Sequence, residues 1–191
     1  MAKNSLISGS IWDEYSNQVV NRMNNPKHQG EITEERAKEL NAKLIVADFG
    51  AESCGDAVRL YWAVDESTNK ILESKFKSFG CGTAIASSDV MAELCIGKTV
   101  DEAVKITNID VEFALRDTPD VPAVPPQKMH CSVMAYDVIK KAAAEYKGVD
   151  MESFEEEQID YAIDVIKKAV TRLRSISSSY AYAPSCHKSG L

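Results

Sequence analysis

Alternating apolar and polar positions in the first half of the chain predict three consecutive β-strands. The segments 43–49, 57–65 and 71–79 are rich in residues that favour strands. The polar stretch 65–69 supplies turn chemistry between the last two segments. Because short connections join neighbouring strands in opposite directions, the simplest prediction is a three-stranded antiparallel sheet.

Apolar residues at helical spacing predict the helices that cover this sheet. A first helix is predicted from a capping box that begins at Ser10 to a stop at Pro26. Its apolar residues are Trp12, Tyr15, Val19 and Met23. Further helices are predicted at 83–96 and 132–146, with a short helix opened by Thr99 between them. Strands followed by helices indicate the α+β class.

A second amphipathic segment follows this predicted domain. We place the domain at residues 10–147, an added C-terminal helix at 148–176 and a flexible tail at 177–191. One stripe of the helix is apolar and its opposite face is charged. The stripe consists of Ile159, Ala162, Ile163, Ile166, Ala169, Val170, Leu173 and Ile176. It could join copies into a homo-oligomer or pack on its own domain.

Composition and charge narrow the classes of partner. The chain has 191 residues, 45% of them hydrophobic, and a net charge of −7. An acidic chain without a basic stripe is not expected to bind nucleic acid. No apolar run is long enough to span a bilayer, and the start of the sequence lacks a signal core. These features predict a cytoplasmic protein with no membrane partner.

The five cysteines bear more on function than on folding. An odd number of thiols in a reducing compartment favours metal ligation or reactivity over disulfides. No CxxC pair is present, so only folding can bring Cys54, Cys81 and Cys131 together. Each of these three falls at the end of a predicted element, which makes them candidate ligands. The other two are predicted to lie in a helix core and in the tail: Cys95 and Cys186.

Cys81 and Cys131 both lie at predicted helix starts, near unpaired N–H groups that lower the pKa of a thiol. Cys131 is the candidate acceptor of sulfur, because Lys128 lies beside it as well. Lys128 could stabilise the negative charge of its thiolate or persulfide. Asp56 and His130 add a carboxylate and an imidazole, which are both metal ligands. The simpler interpretations are a turn residue at Asp56, a structural histidine, a solvated lysine and a buried structural thiol.

Five sequence blocks together resemble the iron–sulfur cluster assembly scaffolds of the IscU/NifU type. The resemblance covers about residues 10–147 and is closest to the amino-terminal domain of NifU. The blocks are Tyr15-Ser16, Asn25-Pro26, Cys54-Gly55-Asp56, Phe79 to Ser88, which reads FGCGTAIASS, and Pro125 to Met134, which reads PPQKMHCSVM.

The resemblance implies a SufE/NifU-like fold in which a three-stranded sheet is covered by helices. It implies that a labile [2Fe–2S] cluster is built from iron and from persulfide sulfur, and is then transferred to apo-proteins. The implied partners are a cysteine desulfurase of the NifS/IscS type and the recipient apo-proteins. The implied ligands of cluster and metal are Cys54, Asp56, Cys81, His130 and Cys131, with Lys128 beside them. The protein would be a carrier rather than an enzyme.

Two alternatives stay open at this stage. A zinc-containing sulfur-transfer protein of the SufU type would accept persulfide without building a cluster. Proteins of that type lack a histidine next to the third cysteine, whereas this chain has His130 beside Cys131. A structural zinc module would close a tetrahedral site with three cysteines and either His130 or Asp56. Zn²⁺ could also occupy the scaffold before iron arrives. A zinc hydrolase or deaminase is disfavoured, because the HxE and HExxH signatures are absent.

Overall fold

The computed structural model describes residues 15–51 and 55–156, with residues 159, 163, 167, 168 and 171. The chain divides into two compact units, Met1–Val149 and Asp150–Leu191. The first unit contains, in chain order, α1 (Asn17–Asn24), α2 (Glu34–Glu39), β1 (Lys43–Ala51), β2 (Asp56–Asp65), β3 (Lys70–Phe79), α3 (Gly82–Cys95), α4 (Val100–Ala103), α5 (Asn108–Ala114) and α6 (His130–Lys147).

The three strands form one antiparallel sheet in the order β1-β2-β3. This confirms the predicted sheet and the α+β class, and each strand extends the predicted segment by one or two residues. At one end of the sheet, Asp56 opens β2 opposite Ala51. Phe79 closes β3 opposite Ala57. The start of β2 and the end of β3 therefore lie together.

The two faces of the sheet are covered to different extents. One face packs against α3 and α6, which contact β3 and β1. On the other face, the half farther from Asp56 is covered by a cluster that includes Ile32, Ala37, Tyr61 and Ala63. The nearer half is open, and Ala57 and Arg59 are exposed there. This explains why β2 alternates at its start and is buried throughout its centre.

The helix starts differ from the predicted ones in ways that follow from capping. The predicted start of the first helix at Ser10 lies outside the described residues. Helix α1 begins at Asn17, because the Ser16 hydroxyl accepts a hydrogen bond from Val19 N and so caps it. Tyr15 is therefore not helical, and its inclusion in the helix was wrong. Helix α6 ends at Lys147, because the next residue, Gly148, has a positive φ that terminates it.

The second unit is helical at its described residues after Asp150. Residues 151–156 are helical, and so is each described position from 159 to 171. Ile159 and Ile163, two members of the predicted apolar stripe, are exposed. The predicted tail at 177–191 lies outside the described residues. Within the described part of the chain, no helix combines the length and the apolar character that crossing a membrane requires.

Candidate metal centre

Three elements deliver polar side chains to the end of the sheet where β2 begins. Asp56 is the first residue of β2, and Cys81 is the N-cap of α3, directly after β3. His130 and Cys131 open α6. Prediction from sequence had placed Cys81 and Cys131 at helix starts, and the structure confirms both positions.

Gly80 makes room for the Asp56 carboxylate. The φ of Gly80 is +147°, and a Cβ atom at this position would lie 2.0 Å from Asp56 Oδ1. Only glycine allows that approach, because it has no Cβ. The carboxylate can therefore turn under the chain, where Oδ1 accepts a 2.9 Å hydrogen bond from the backbone N–H of Cys81.

The donor atoms of Asp56, Cys81 and Cys131 lie within 4.8 Å of one another. The two sulfurs are 3.7 Å apart. Asp56 Oδ2 is 3.5 Å from Cys81 Sγ and 3.9 Å from Cys131 Sγ. Asp56 and Cys131 are buried, whereas Cys81 is partly exposed. Two sulfurs and one oxygen thus converge with one sulfur open to solvent.

The imidazole of His130 adjoins the same cluster. Its Nε2 lies 3.5 Å from Cys131 Sγ and 3.4 Å from Asp56 Oδ2. Its Nδ1 is 3.1 Å from the carbonyl oxygen of Gln127. Because a carbonyl only accepts hydrogen bonds, the proton of the neutral ring belongs on Nδ1. Nε2 then presents its lone pair towards the sulfurs, as a metal-ligating histidine does.

The two thiols share one proton unequally. The hydrogen bond from the Cys131 thiol lowers the pKa of Cys81 to about 6, and Lys128 adds a smaller favourable charge. The same hydrogen bond, together with burial, raises the pKa of Cys131. The lowered pKa expected of a helix-start thiol is found at Cys81, whereas the expectation of an exposed thiol with a lowered pKa is wrong for Cys131 in this arrangement. Its helix-start position is outweighed by its buried place beside the Cys81 thiolate.

This difference predicts a pattern of alkylation in the reduced, metal-free protein. Labelling consumes the thiolate, so labelling of Cys81 should rise through its pKa near 6 and reach a plateau at neutral pH. Cys131 should label slowly throughout a series from about pH 5 to 9. Site-resolved peptide mass spectrometry after short iodoacetamide pulses measures both. Equal labelling of the two thiols at neutral pH would contradict the shared-proton geometry.

The structure brings together most, but not all, of the predicted site residues. Asp56, Cys81, His130 and Cys131 converge, and Lys128 is close enough to act electrostatically on both sulfurs. Cys54 and Cys186 lie outside the described residues. The remaining thiol is in the core as predicted: Cys95 is fully buried, and burial raises its pKa to about 12.

Sequence reasoning missed the backbone partner of His130, the carbonyl of Gln127, because a main-chain acceptor leaves no signal in residue types. It also missed a second group of donor atoms, His28, Asp89 and Glu93, which lies outside this centre. Asp89 and Glu93 are four residues apart on α3, a spacing that places them on one face of a helix. Their partners, Arg22 on α1 and His28 after it, could not be recognised from that spacing.

The donor atoms of this centre suit a metal that prefers sulfur ligands and has one ligand that can be exchanged. Thiolate and imidazole are ligands of zinc and of iron–sulfur clusters, whereas carboxylate oxygen is a harder donor. The described residues offer two sulfurs, one oxygen and one nitrogen, which could close a tetrahedral site or share a cluster with a further thiolate.

Comparison with known proteins agrees with this chemistry. The chain is 37% identical over 147 residues to the nitrogen fixation protein NifU of Nostoc sp., an alignment that covers 77% of this chain and 46% of that protein. It is 41% identical over 133 residues to the iron–sulfur cluster assembly enzyme IscU of Drosophila melanogaster, covering 70% of this chain and 78% of that protein. The chain thus spans about half the length of the NifU relative.

A solved structure and a family match complete the comparison. The crystal structure is of a protein from Fervidobacterium islandicum AW-1, provisionally described as an iron–sulfur cluster assembly scaffold for the SUF system. Its TM-score is 0.52 at 28% identity, over 71% of this chain and 99% of that chain. Residues 14–153 match the family described as the NifU-like N terminal domain. The chain belongs to the NifU-like N-terminal domain family.

Proposed function

We propose that this chain is a scaffold on which a labile [2Fe–2S] cluster is assembled before transfer to apo-proteins. The observation that carries the proposal is the convergence of Cys81, Cys131 and Asp56 within 4.8 Å. Clusters that stay in a protein are usually held by four thiolates. A set that includes a harder carboxylate suits a cargo that must leave. The relatives named as cluster assembly proteins support the same function.

The cluster is the cargo of this site, and its proposed ligands come from five residues. Cys54, Cys81 and Cys131 supply thiolates, while Asp56 and His130 supply the oxygen and nitrogen donors. Cys54 is included because it is two residues from Asp56 in the sequence and matches the resembled motif. The same donors could hold Zn²⁺ when no iron is bound, because zinc accepts sulfur, nitrogen and oxygen ligands in tetrahedral sites.

Sulfur would arrive as a persulfide on a cysteine desulfurase. A scaffold thiolate attacks the terminal sulfur, the sulfur–sulfur bond of the donor breaks, and the desulfurase cysteine leaves as a thiolate. Reduction of the transferred sulfur to sulfide takes two electrons, which an external thiol reductant would supply. In the arrangement described here, Cys81 is the better nucleophile. A persulfide on Cys131, which we also propose, requires its hydrogen bond to Cys81 to break first.

Replacement of Asp56 by alanine tests why the cluster is labile. Removing the carboxylate leaves softer donors around the iron, so we expect the cluster to survive about tenfold longer, equivalent to ~1.4 kcal/mol in the barrier to loss. The measurement is the decay of visible absorption after a chelator is added under anaerobic conditions. Asp56→Ala also removes the acceptor for Cys81 N–H, so thermal unfolding of the metal-free variant is measured in parallel.

Asp48→Ala is the matched control for this experiment. Asp48 lies on β1 and pairs with Arg59 on β2, on a half-exposed part of the sheet. Removing this carboxylate changes the net charge equally without touching the site. A cluster lifetime in Asp56→Ala equal to that of Asp48→Ala, or shorter than that of the parent, contradicts the proposed role.

The second candidate function is SufU-like sulfur transfer, and the similarity to a SUF-system protein favours it. In that case Cys81, Cys131 and Asp56 would retain zinc, and one thiolate would carry persulfide to an acceptor. The two functions differ in cargo: the scaffold holds iron and sulfide together, whereas the transfer protein holds persulfide and no iron. We favour the scaffold because His130 adjoins Cys131, which the SufU pattern lacks.

The remaining parts of the proposal concern partners and location. We infer that the partners are a desulfurase of the NifS/IscS type and apo iron–sulfur proteins. Two further points stay predictions. One is homo-oligomerisation through the apolar stripe that contains Ile159 and Ile163, and the other is a cytoplasmic location. Size-exclusion chromatography with light scattering measures the oligomeric state directly.

A further inference from the structure

A second buried charge cluster lies on α3 outside the metal centre. The Asp89 side chain is fully buried. Its Oδ2 accepts a 2.6 Å hydrogen bond from Arg22 Nη1 of α1. Its Oδ1 accepts a 2.8 Å hydrogen bond from the backbone N–H of His28 and lies 3.3 Å from His28 Nδ1. One carboxylate therefore holds both α1 and the turn that follows it.

The Arg22 guanidinium supplies the positive charge that a metal ion would supply in a cluster of this kind. Its second nitrogen, Nη2, is 2.5 Å from Glu93 Oε2, one turn after Asp89 on α3. The Arg22 side chain is only 13% exposed. A buried carboxylate is costly unless it is paired and hydrogen-bonded, and Asp89 has both kinds of partner. The group that contains His28, Asp89 and Glu93 thus joins α1 to α3 through ion pairs and hydrogen bonds, and we do not interpret it as a metal site.

The residue after Arg22 contacts the ligand-bearing end of α3. A Cβ atom on Gly82 would lie 2.2 Å from Met23 Cε and 3.1 Å from Met23 Sδ. The Met23 side chain therefore lies directly on Gly82, the residue that follows Cys81. Met23 thus lies beside the backbone position next to Cys81, the partly exposed thiol of the metal centre.

The opposite end of α1 is fastened to the segment that leads towards α6. Asp117 accepts hydrogen bonds from Asn17 N at 2.8 Å, from Asn17 Nδ2 at 2.9 Å and from Gln18 N at 3.1 Å. Ser16 Oγ donates to Leu115 O, and Ser16 N donates to Ala123 O. Helix α1 is thereby held by two of the three chain segments that serve the metal centre, the one that contains Cys81 and the one that leads to Cys131.

We propose that α1 is a strap across the metal centre, with Met23 as the cover of Cys81 and Asp89 as the positioning residue that holds the strap closed. The strap sets how fast reagents, chelators and acceptor thiols reach the site. This inference rests on the proposed function for its effect on a cluster. The access of reagents to Cys81 can be measured without any cluster.

The first test compares Met23→Ala with Met23→Leu in the full chain. Met23→Ala removes the cover, so alkylation of Cys81 in the metal-free protein should accelerate about 3- to 10-fold, as expected when a local barrier to access is lost. Met23→Leu keeps apolar volume and should label like the parent. Asn21→Ala, at an exposed position of the same helix, is the control for a change in helix stability alone.

The second test uses the cluster and the buried carboxylate. After reconstitution, loss of the cluster to a chelator should accelerate in Met23→Ala and in Asp89→Asn, and the double variant should be no faster than the faster single one, because both changes open the same strap. Glu93→Gln removes the negative charge of the half-exposed partner of Arg22, so it should accelerate loss of the cluster to a smaller extent. It gives a readout if Asp89→Asn fails to fold.

The outcomes separate the strap from the scaffold function. Parent-like alkylation in Met23→Ala overturns the strap. Equal acceleration in Met23→Leu and Met23→Ala also overturns it, because that result would assign the effect to the thioether sulfur itself. If the parent takes up no cluster but Met23→Ala still exposes Cys81, the strap stands and the scaffold function fails.

Discussion

Replacing Cys81 by alanine will abolish cluster assembly and leave the fold intact. The Cys81 sulfur lies 3.7 Å from Cys131 Sγ and 3.5 Å from Asp56 Oδ2, so its removal eliminates one of the three donor atoms that lie together. The stability cost should be small, because Cys81 is partly exposed and its side chain makes no capping hydrogen bond to α3. Iron and acid-labile sulfide analysis after reconstitution measures the loss, and circular dichroism verifies the fold.

Cys95→Ala is the matched control for this variant. Cys95 is buried in α3 and is excluded from the site. Its truncation should lower the free energy of unfolding by about 1 kcal/mol through lost packing, while iron and sulfide content stays at the parent level. A Cys81→Ala protein that binds iron and sulfide like Cys95→Ala would contradict the assignment of Cys81 as a ligand.

The Gly80→Ala variant should damage the site through the backbone. The φ of +147° is costly for any residue with a Cβ, by about 1–3 kcal/mol. The new Cβ would also lie 2.0 Å from Asp56 Oδ1 and 2.7 Å from Asp56 Cγ, so the carboxylate must move. The hydrogen bond from Cys81 N–H to Asp56 would be lost. We expect a lower unfolding temperature, and faster alkylation of Cys81 as its backbone is released.

Gly97→Ala separates backbone strain from displacement of the carboxylate. Gly97 also has a positive φ, +81°, but a Cβ there would meet no atom within 4 Å. This variant should therefore lose stability and keep the parent rate of alkylation at Cys81. The same rate in Gly80→Ala and Gly97→Ala would show that Asp56 does not position the Cys81 backbone.

The strands could be predicted from the sequence because their signal is local. Alternation and β-forming residues mark β1, β2 and β3, and turn residues separate the last two. The six-residue α2 and the seven-residue α5 were not predicted, because helices of one or two turns carry too few periodic positions. The described start of α1 depends on Ser16, whose backbone also bonds to Ala123, a contact between distant parts of the chain.

The residues of the site could be predicted from the sequence, but the relative pKa values of its two thiols could not. The motif blocks identified Asp56, Cys81, His130 and Cys131. The order of the two thiol pKa values depends on a 3.7 Å contact between residues 50 positions apart, and on the burial of Cys131. A helix-start argument considers one element at a time, so it predicted a lowered pKa for both thiols and could not say which of them would be the more acidic.

The strap on α1 was likewise invisible in the sequence. Arg22 and Asp89 are 67 positions apart, and neither belongs to a motif. A charged residue in the apolar stretch of α3 is a signal that a buried partner is needed, but the sequence does not say which element supplies it.

The measurement that tests the central claim most directly is anaerobic reconstitution with iron, cysteine and a cysteine desulfurase. Analysis of iron, zinc and acid-labile sulfide follows, together with visible absorption. The scaffold function predicts equal amounts of iron and sulfide, with sulfur-to-iron charge-transfer bands that disappear in Cys54→Ala and Cys81→Ala. Persulfide on a protein that retains zinc and takes up no iron would contradict it and establish sulfur transfer instead.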